Sequence, residues 1–243
     1  MLPAIVGHRG ARGEAPENTL PSFERAVIAG VSEIELDVRL SSDDGLFVLH
    51  DPDLVRTTGQ RGAAHHKKLS TLQALDARHA IAHWPTPCPI PSLQEVIDLC
   101  PDNLRFQFEV KTDGKAPLKR TASKLASMIQ EQQLEHRVVV TSSDRQFLRL
   151  MRHHAPDISR GYVCQYRHRK PIQTCRELEC RWLISHYGLV SKSLMRLANK
   201  HGLGVSVWTV NDLAEASRLV SLGVDSIITD FPTAFQAHFR SLG

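Results

Sequence analysis

The sequence predicts an α/β protein, a (β/α)8 TIM barrel with a small insertion after the second strand. Short β-branched or apolar runs alternate with amphipathic stretches along the chain, which is the pattern of parallel strands joined by helices. Eight of these runs fit one parallel set, the number that closes a barrel. The length of 243 residues also suits this fold, which typically occupies about 250 residues as one domain. A single domain over residues 1–243 is therefore expected.

The elements follow in order. Ala4 to Gly7 is the first strand; Thr19-Leu20-Pro21 opens a helix that Gly30 stops; Glu33 to Val38 is the second strand. The connection Ser41-Ser42-Asp43-Asp44-Gly45 is too short for a crossover helix. A ninth β-like run, Leu46 to His50, should therefore fold back as a hairpin with Asp44-Gly45 at its turn. Residues 52–91 break the rhythm with Arg56-Thr57-Thr58-Gly59 and a run of prolines, and are expected as an insertion over the barrel mouth. Ser92 with Glu95 three residues on forms a capping box for the next helix. The remaining strands are Leu104 to Val110, Arg137 to Thr141, Ser159 to Cys164, Trp182 to Ser185, Gly204 to Trp208 and Asp225 to Thr229. Asn211 is expected to open a late helix, and Gly202 and Gly223 to stop two others.

Composition removes several function classes. With 42% hydrophobic and 23% charged residues, the chain can bury a sizeable core, which excludes disordered and fibrous proteins. The 30 basic and 26 acidic residues are dispersed without a run of five or six like charges, so no nucleic-acid partner is expected. Five cysteines, odd in number and without a C-x-x-C pair, read as reduced thiols. The sequence shows neither a signal-peptide pattern nor an apolar run of 18 residues, so cytoplasmic localisation without stable membrane insertion is expected.

Polar residues that strand patterning does not explain collect at the carboxyl ends of the strands, where barrel enzymes place their active sites. The first strand ends in His8-Arg9-Gly10: an imidazole for proton transfer near neutral pH, a guanidinium fork suited to phosphate, and a glycine permitting close backbone approach. Glu35 and Asp37, at i, i+2 spacing, point to the same face of the second strand. Two carboxylates crowded together call for a cation, and hard oxygen ligands suit Mg2+, Ca2+ or Mn2+. Glu109 and Lys111 add a third carboxylate and an ammonium by the same spacing. His50-Asp51 returns a second histidine to the rim, and two imidazoles flanking a phosphodiester could act as general acid and base. Trp208 offers an apolar wall, while Asn211 and Asp230 read equally well as helix caps. Most of the other histidines, His168 among them, fall on helices or loops and read as surface or structural residues. No GxSxG, P-loop or GxGxxG pattern is present, against serine-hydrolase, kinase and dinucleotide readings.

Taken as an ordered set, His8-Arg9-Gly10 with Pro16-Glu17-Asn18-Thr19, Glu35-Leu36-Asp37, His50-Asp51, Arg56-Thr57-Thr58, Pro89-Ile90-Pro91-Ser92-Leu93, Glu109-Val110-Lys111 and Trp208-Thr209-Val210-Asn211 resembles the glycerophosphodiester phosphodiesterases of the cytosolic bacterial type. The resemblance implies one divalent cation held by Glu35, Asp37 and Glu109, with His8 and His50 as the acid–base pair. It further implies that Arg9 and Lys111 hold the phosphate, Glu17 and Asn18 brace the site, Trp208 flanks the glycerol, and the insertion helps enclose the glycerol end. The implied reaction is hydrolysis of a small-molecule glycerophosphodiester, such as glycerophosphocholine or glycerophosphoethanolamine, to glycerol 3-phosphate and an alcohol. Ser142-Ser143-Asp144 lacks the Ser-Phe often found there in the family. Two rivals are a lysophospholipase D, with the same chemistry on a lipid, and a non-catalytic barrel that binds glycerol phosphate.

Overall fold

A computed structural model describes residues 2–81, 83–112, 117–166 and 170–241. Its strands are β1 (Ala4–His8), β2 (Glu33–Leu40), β3 (Leu46–Val48), β4 (Arg105–Val110), β5 (Val138–Ser142), β6 (Ser159–Cys164), β7 (Trp182–His186), β8 (Gly204–Trp208) and β9 (Ser226–Thr229). The helices are α1 (Leu20–Ala29), α2 (Val55–Thr58), α3 (Leu69–Gln73), α4 (Leu93–Leu99), α5 (Leu118–Glu131), α6 (Arg145–His154), α7 (Pro171–Glu177), α8 (Lys192–Lys200), α9 (Leu213–Leu222) and α10 (Pro232–Arg240). All strands except β3 pair in parallel, and β1 joins both β2 and β9, so eight strands close into a (β/α)8 barrel.

β3 explains how the ninth strand is accommodated. β1 pairs with β2 only over Glu33, Ile34 and Glu35. β2 runs on to Leu40, leaving backbone groups on that edge without a partner, and β3 takes them in antiparallel register over Val38, Arg39 and Leu40. Asp44, at φ 65°, makes the reversal between them.

Strand alternation sorts the side chains. Ile34, Leu36 and Val38 of β2, with Phe106, Phe108 and Val110 of β4, point outward into the core beneath the helices. Glu33, Glu35 and Asp37 alternate with them, and the register sets Glu35 beside Gln107 and Asp37 beside Glu109. Inside the barrel, Val6, Val163, Ile184 and Ile228 form a small apolar floor. A polar layer also lies buried within it, where Gln107 Nε2 donates to Glu33 Oε1 at 2.5 Å and Ser226 Oγ meets Ser206 Oγ at 2.7 Å.

The capping box forms as expected, Ser92 Oγ accepting from Glu95 N and Glu95 Oε2 from Ser92 N. Gly30 and Gly223 end α1 and α9 in the left-handed conformation, whereas His201 caps α8 and Gly202 follows it. Asn211 does not open α9; Asp212 does, its carboxylate accepting from Glu215 N at 2.8 Å. Residues 52–91 hold α2, α3 and two short 3-10 turns around Phe47, Leu49, Leu54, Ala64, Leu72, Ala77 and Ile90.

Candidate active site

The carboxyl ends of the strands surround a cavity of about 520 Å³. Its lining includes His8, Arg9, Glu35, His50, Glu109, Lys111 and Trp208, along with Arg12, Thr141, Ser143 and Ile184. Among the described residues, none of 52–91 lines it. Its short helices gather on their own core beside β3, and Arg56 of α2 reaches Glu17 and Asp51 behind the site.

The acidic cluster comes from β2 and the end of β4. Glu35, Asp37 and Glu109 each place a carboxylate oxygen within 4.8 Å of the others. Burial, followed by the charges of Asp37 and Glu109, raises the Glu35 carboxyl well above its ordinary range. Asp37 is also pushed up by burial, but Lys111, Arg9, His50 and the Asn18 amide together hold it below the ordinary range. Glu35 Oε2 accepts from Arg9 N at 3.0 Å, while Glu35 Oε1 is buried with no hydrogen-bond partner among the described residues. An orphaned oxygen in a cluster of three carboxylates fits a hard divalent cation, which would satisfy it and offset the burial and the carboxylate repulsion that raise the Glu35 carboxyl.

Two cations sit against the cluster. Lys111 Nζ donates to Glu109 Oε1 at 2.6 Å and lies 3.2 Å from Asp37 Oδ1. Arg9 takes φ 51°, a left-handed conformation uncommon outside glycine. It spans from Asp37 Oδ2, 3.2 Å from its Nε, to Glu17 Oε1, 2.7 Å from its Nη1. Asn18, also left-handed at φ 57°, donates its amide to Asp37 Oδ2 at 2.8 Å. Glu17 and Asn18 thus meet the site one side chain behind it.

Both histidines are backed by carboxylates. His8 Nδ1 lies 2.5 Å from Asp230 Oδ1, and its Nε2 faces the cluster, 3.9 Å from Glu35 Oε2. Asn211 holds Asp230 in turn, donating Nδ2 to Asp230 Oδ2 at 2.8 Å and accepting from Asp230 N at 2.9 Å. The alternative of Asn211 and Asp230 as helix caps is therefore corrected. His50 Nδ1 lies 2.7 Å from Asp51 Oδ1, and Arg56 Nε donates to Asp51 Oδ2 at 2.6 Å. Burial lowers the pKa of both imidazoles, against the upward pull of Asp230 on His8 and of Asp37 on His50. A carboxylate accepting the Nδ1 proton leaves a neutral ring with its Nε2 lone pair facing outward, the form a general base requires.

Sequence reasoning read Asp230 only as a strand-end residue or helix cap, quoted Arg56 only within a family-like motif, and assigned Arg12 no role. Asp230 stood at a strand end, where its position was the available signal. Arg12 Nε lies 3.3 Å from Glu17 Oε2 at the cavity edge. Trp208 Nε1 donates to Ile184 O at 3.2 Å, which fixes the indole plane in the wall opposite the charged half. His186 meets the Trp208 edge at 5.5 Å and stacks on Tyr187 at 4.5 Å, outside the cavity lining. Asp144 caps α6, and Ser143 alone of its tripeptide lines the cavity. His168 lies outside the described residues.

Residues 8–234 match the family described as "Glycerophosphoryl diester phosphodiesterase family". A glycerophosphodiester phosphodiesterase of Caldanaerobacter subterraneus subsp. tengcongensis is 32% identical over 233 residues, 96% of each chain. One from Bacillus altitudinis is 31% identical over 234 residues, 94% of each chain. Among solved structures, a phosphodiesterase of Oleispira antarctica in complex with the product sn-glycerol-3-phosphate superposes with a TM-score of 0.89 at 27% identity, covering 98% of this chain and 97% of the other.

Proposed function

The chain belongs to the glycerophosphoryl diester phosphodiesterase family and is a phosphodiester hydrolase of that activity; on this premise, we propose that it hydrolyses small glycerophosphodiesters to glycerol 3-phosphate and an alcohol, using a divalent cation and the pair His8 and His50. The observation that carries the reading is the three-carboxylate cluster with its orphaned Glu35 oxygen, set in the same cavity as two carboxylate-backed imidazoles.

Glu35, Asp37 and Glu109 hold the cation, which when bound supplies Lewis-acid stabilisation of charge on the phosphoryl oxygens. Mg2+, Ca2+ and Mn2+ all suit such an oxygen donor set. Arg9 and Lys111 grip the phosphate from the same half of the cavity, and each is held by carboxylates in advance of substrate. Of the histidines, one removes a proton at Nε2 from the attacking hydroxyl and the other delivers a proton to the departing oxygen. Asp230 and Asp51 keep the Nδ1 proton in place throughout. Trp208, opposite the charged half, flanks the glycerol carbons, and Glu17 and Asn18 brace Arg9 and Asp37. The chain works as one domain with residues 52–91 as its insertion, and its five buried cysteines, none of them in a disulfide among the described residues, support a reducing cytoplasmic setting.

The test is a coupled assay for glycerol 3-phosphate released from glycerophosphocholine, with and without EDTA, for the parent enzyme and the His8→Ala and His50→Ala variants. Loss on chelation and a fall of about 10²- to 10⁴-fold in each variant are expected. Chelator-resistant turnover, or full activity in both variants, sinks the mechanism. Faster turnover of lysophosphatidylcholine than of glycerophosphocholine would replace the substrate with a lysolipid; no helix among the described residues is long and apolar enough to cross a membrane.

A further inference from the structure

We propose that Arg56, on the insertion, is a positioning residue that sets the ring orientation of His50 through Asp51 and ties it to the phosphate-holding Arg9 through Glu17. The inference rests on the acid–base role given to His50 above.

One guanidinium satisfies two separate carboxylates. Arg56 Nε donates to Asp51 Oδ2 at 2.6 Å, while Nη1 and Nη2 form a fork on Glu17, at 2.7 Å to Oε2 and 2.8 Å to Oε1. Each carboxylate then reaches one site residue, Asp51 Oδ1 meeting His50 Nδ1 at 2.7 Å and Glu17 Oε1 accepting from Arg9 Nη1 at 2.7 Å. The chain His50–Asp51–Arg56–Glu17–Arg9 is thus continuous at hydrogen-bond distance. Against the upward push of burial, Arg56 together with Arg9 holds the Glu17 carboxyl at about 2, and Arg56 together with His50 holds that of Asp51 at about 2.

His50 depends on this chain more than His8 does on its own partner. The His8 side chain is 9% exposed and packed within the barrel, whereas the His50 side chain is 33% exposed, so packing constrains its ring less. The His50 backbone is fixed independently, its carbonyl accepting from Arg39 Nη2 at 2.7 Å. The ring angle is what Asp51 decides, and Asp51 is held from behind by Arg56 alone among the described side chains other than His50 itself. At the other end, Arg9 also meets Asp37, 3.2 Å from its Nε, a contact that does not pass through Arg56. Loss of Arg56 should accordingly turn His50 away from the reacting oxygen while the phosphate grip survives. A lysine cannot substitute, because a single ammonium does not span both carboxylates in the geometry of the planar fork.

The test uses the full chain with its divalent cation and glycerophosphocholine as substrate. Arg56→Ala, Arg56→Lys, Asp51→Asn and His50→Ala are compared with the double variant Asp51→Asn/Arg56→Ala, and folding is checked by thermal melting. Expected for Arg56→Ala is a fall of about 10²-fold in kcat, the scale of an ångström-sized misplacement, with KM within about threefold of the parent. Arg56→Lys should remain well below the parent, guanidinium ion in the assay should restore part of the Arg56→Ala loss, and the double variant should be no slower than Asp51→Asn alone. If Arg56→Ala fails to fold, Arg56→Lys carries the same comparison. Near-parental kcat in folded Arg56 variants, or a loss that adds in full to that of Asp51→Asn, overturns the inference. An active His50→Ala would instead overturn the acid–base reading and this inference with it. An inactive His50→Ala beside active Arg56 variants removes only the role of Arg56.

Discussion

Replacing Asp230 by asparagine changes one atom and should cost most of the catalytic rate, for a reason fixed by the neighbouring Asn211. In the parent, Asp230 Oδ1 accepts the His8 Nδ1 proton at 2.5 Å, which leaves the Nε2 lone pair facing the cation cluster. Asn211 donates Nδ2 to Asp230 Oδ2 at 2.8 Å, so an asparagine at 230 must turn its carbonyl toward Asn211. Its amide NH2 then faces His8 Nδ1, which must become an acceptor, and the ring proton moves to Nε2. The same geometry is kept with the wrong tautomer. An amide in place of the carboxylate behind a catalytic imidazole lowers kcat by about 10⁴ elsewhere, and a loss of about 10³- to 10⁴-fold is expected here. At 1.36 kcal/mol per decade this is about 4–5.5 kcal/mol of transition-state stabilisation. The assay is steady-state release of glycerol 3-phosphate, with thermal melting to verify the fold. Adding Asn211→Asp should recover part of the loss, because an aspartate at 211 accepts from the amide at 230 and turns the carbonyl back toward His8. Activity of Asp230→Asn within about tenfold of the parent, or a double variant no better than the single, would refute the tautomer argument.

Three further outcomes follow from the same geometry. The Glu35 carboxyl is raised above its ordinary value of 4.5, so its contribution to stability is present below that pH and is lost as pH rises through the raised folded value, by about 1.4 kcal/mol per unit of separation. Glu35→Gln should flatten that part of the melting-temperature profile, and added Mg2+ or Ca2+ should raise the melting temperature of the parent and not of the variant; matching profiles would show that Glu35 is not strained. Glu17→Ala leaves the buried Arg9 and the half-buried Arg56 short of their shared carboxylate, a loss expected at about 3 kcal/mol in urea unfolding, and a cost below about 1 kcal/mol would contradict it. Gly10 sits at φ +82°, and a Cβ there would lie 2.6 Å from the Ser22 backbone; Gly10→Ala should therefore destabilise the fold by more than about 1 kcal/mol and reduce turnover by shifting His8 and Arg9, which calorimetry and the coupled assay check together.

Local periodicity explains how much of the fold and the site was legible. Glu35 and Asp37, or Glu109 and Lys111, share a face because alternate residues of any strand do, so their convergence at one rim followed once the strands were placed. The capping box at Ser92 and Glu95 involves neighbours in sequence and formed as read. Asn211 failed as a helix opener because a competing acceptor, Asp212, stood one residue later, and because Asp230 offered the Asn211 amide a partner across the barrel rim.

The sequence by itself determined the eight parallel strands, the side chains each presents at its carboxyl end, and the acidic, basic and imidazole groups available to the chemistry. These depend on contacts between residues a few positions apart, which a pattern along the chain expresses directly. Tertiary structure alone decided which group stands behind which. Asp230 reaches His8 across 222 positions because β1 and β9 are neighbours in the closed barrel. Arg56 reaches Glu17 across 39 positions because β3 takes the edge of β2 that β1 leaves free, setting the insertion beside the first loop. Partners so far apart in the chain leave no periodic trace; barrel closure brings them within hydrogen-bond distance and so fixes the protonation and orientation of the two histidines.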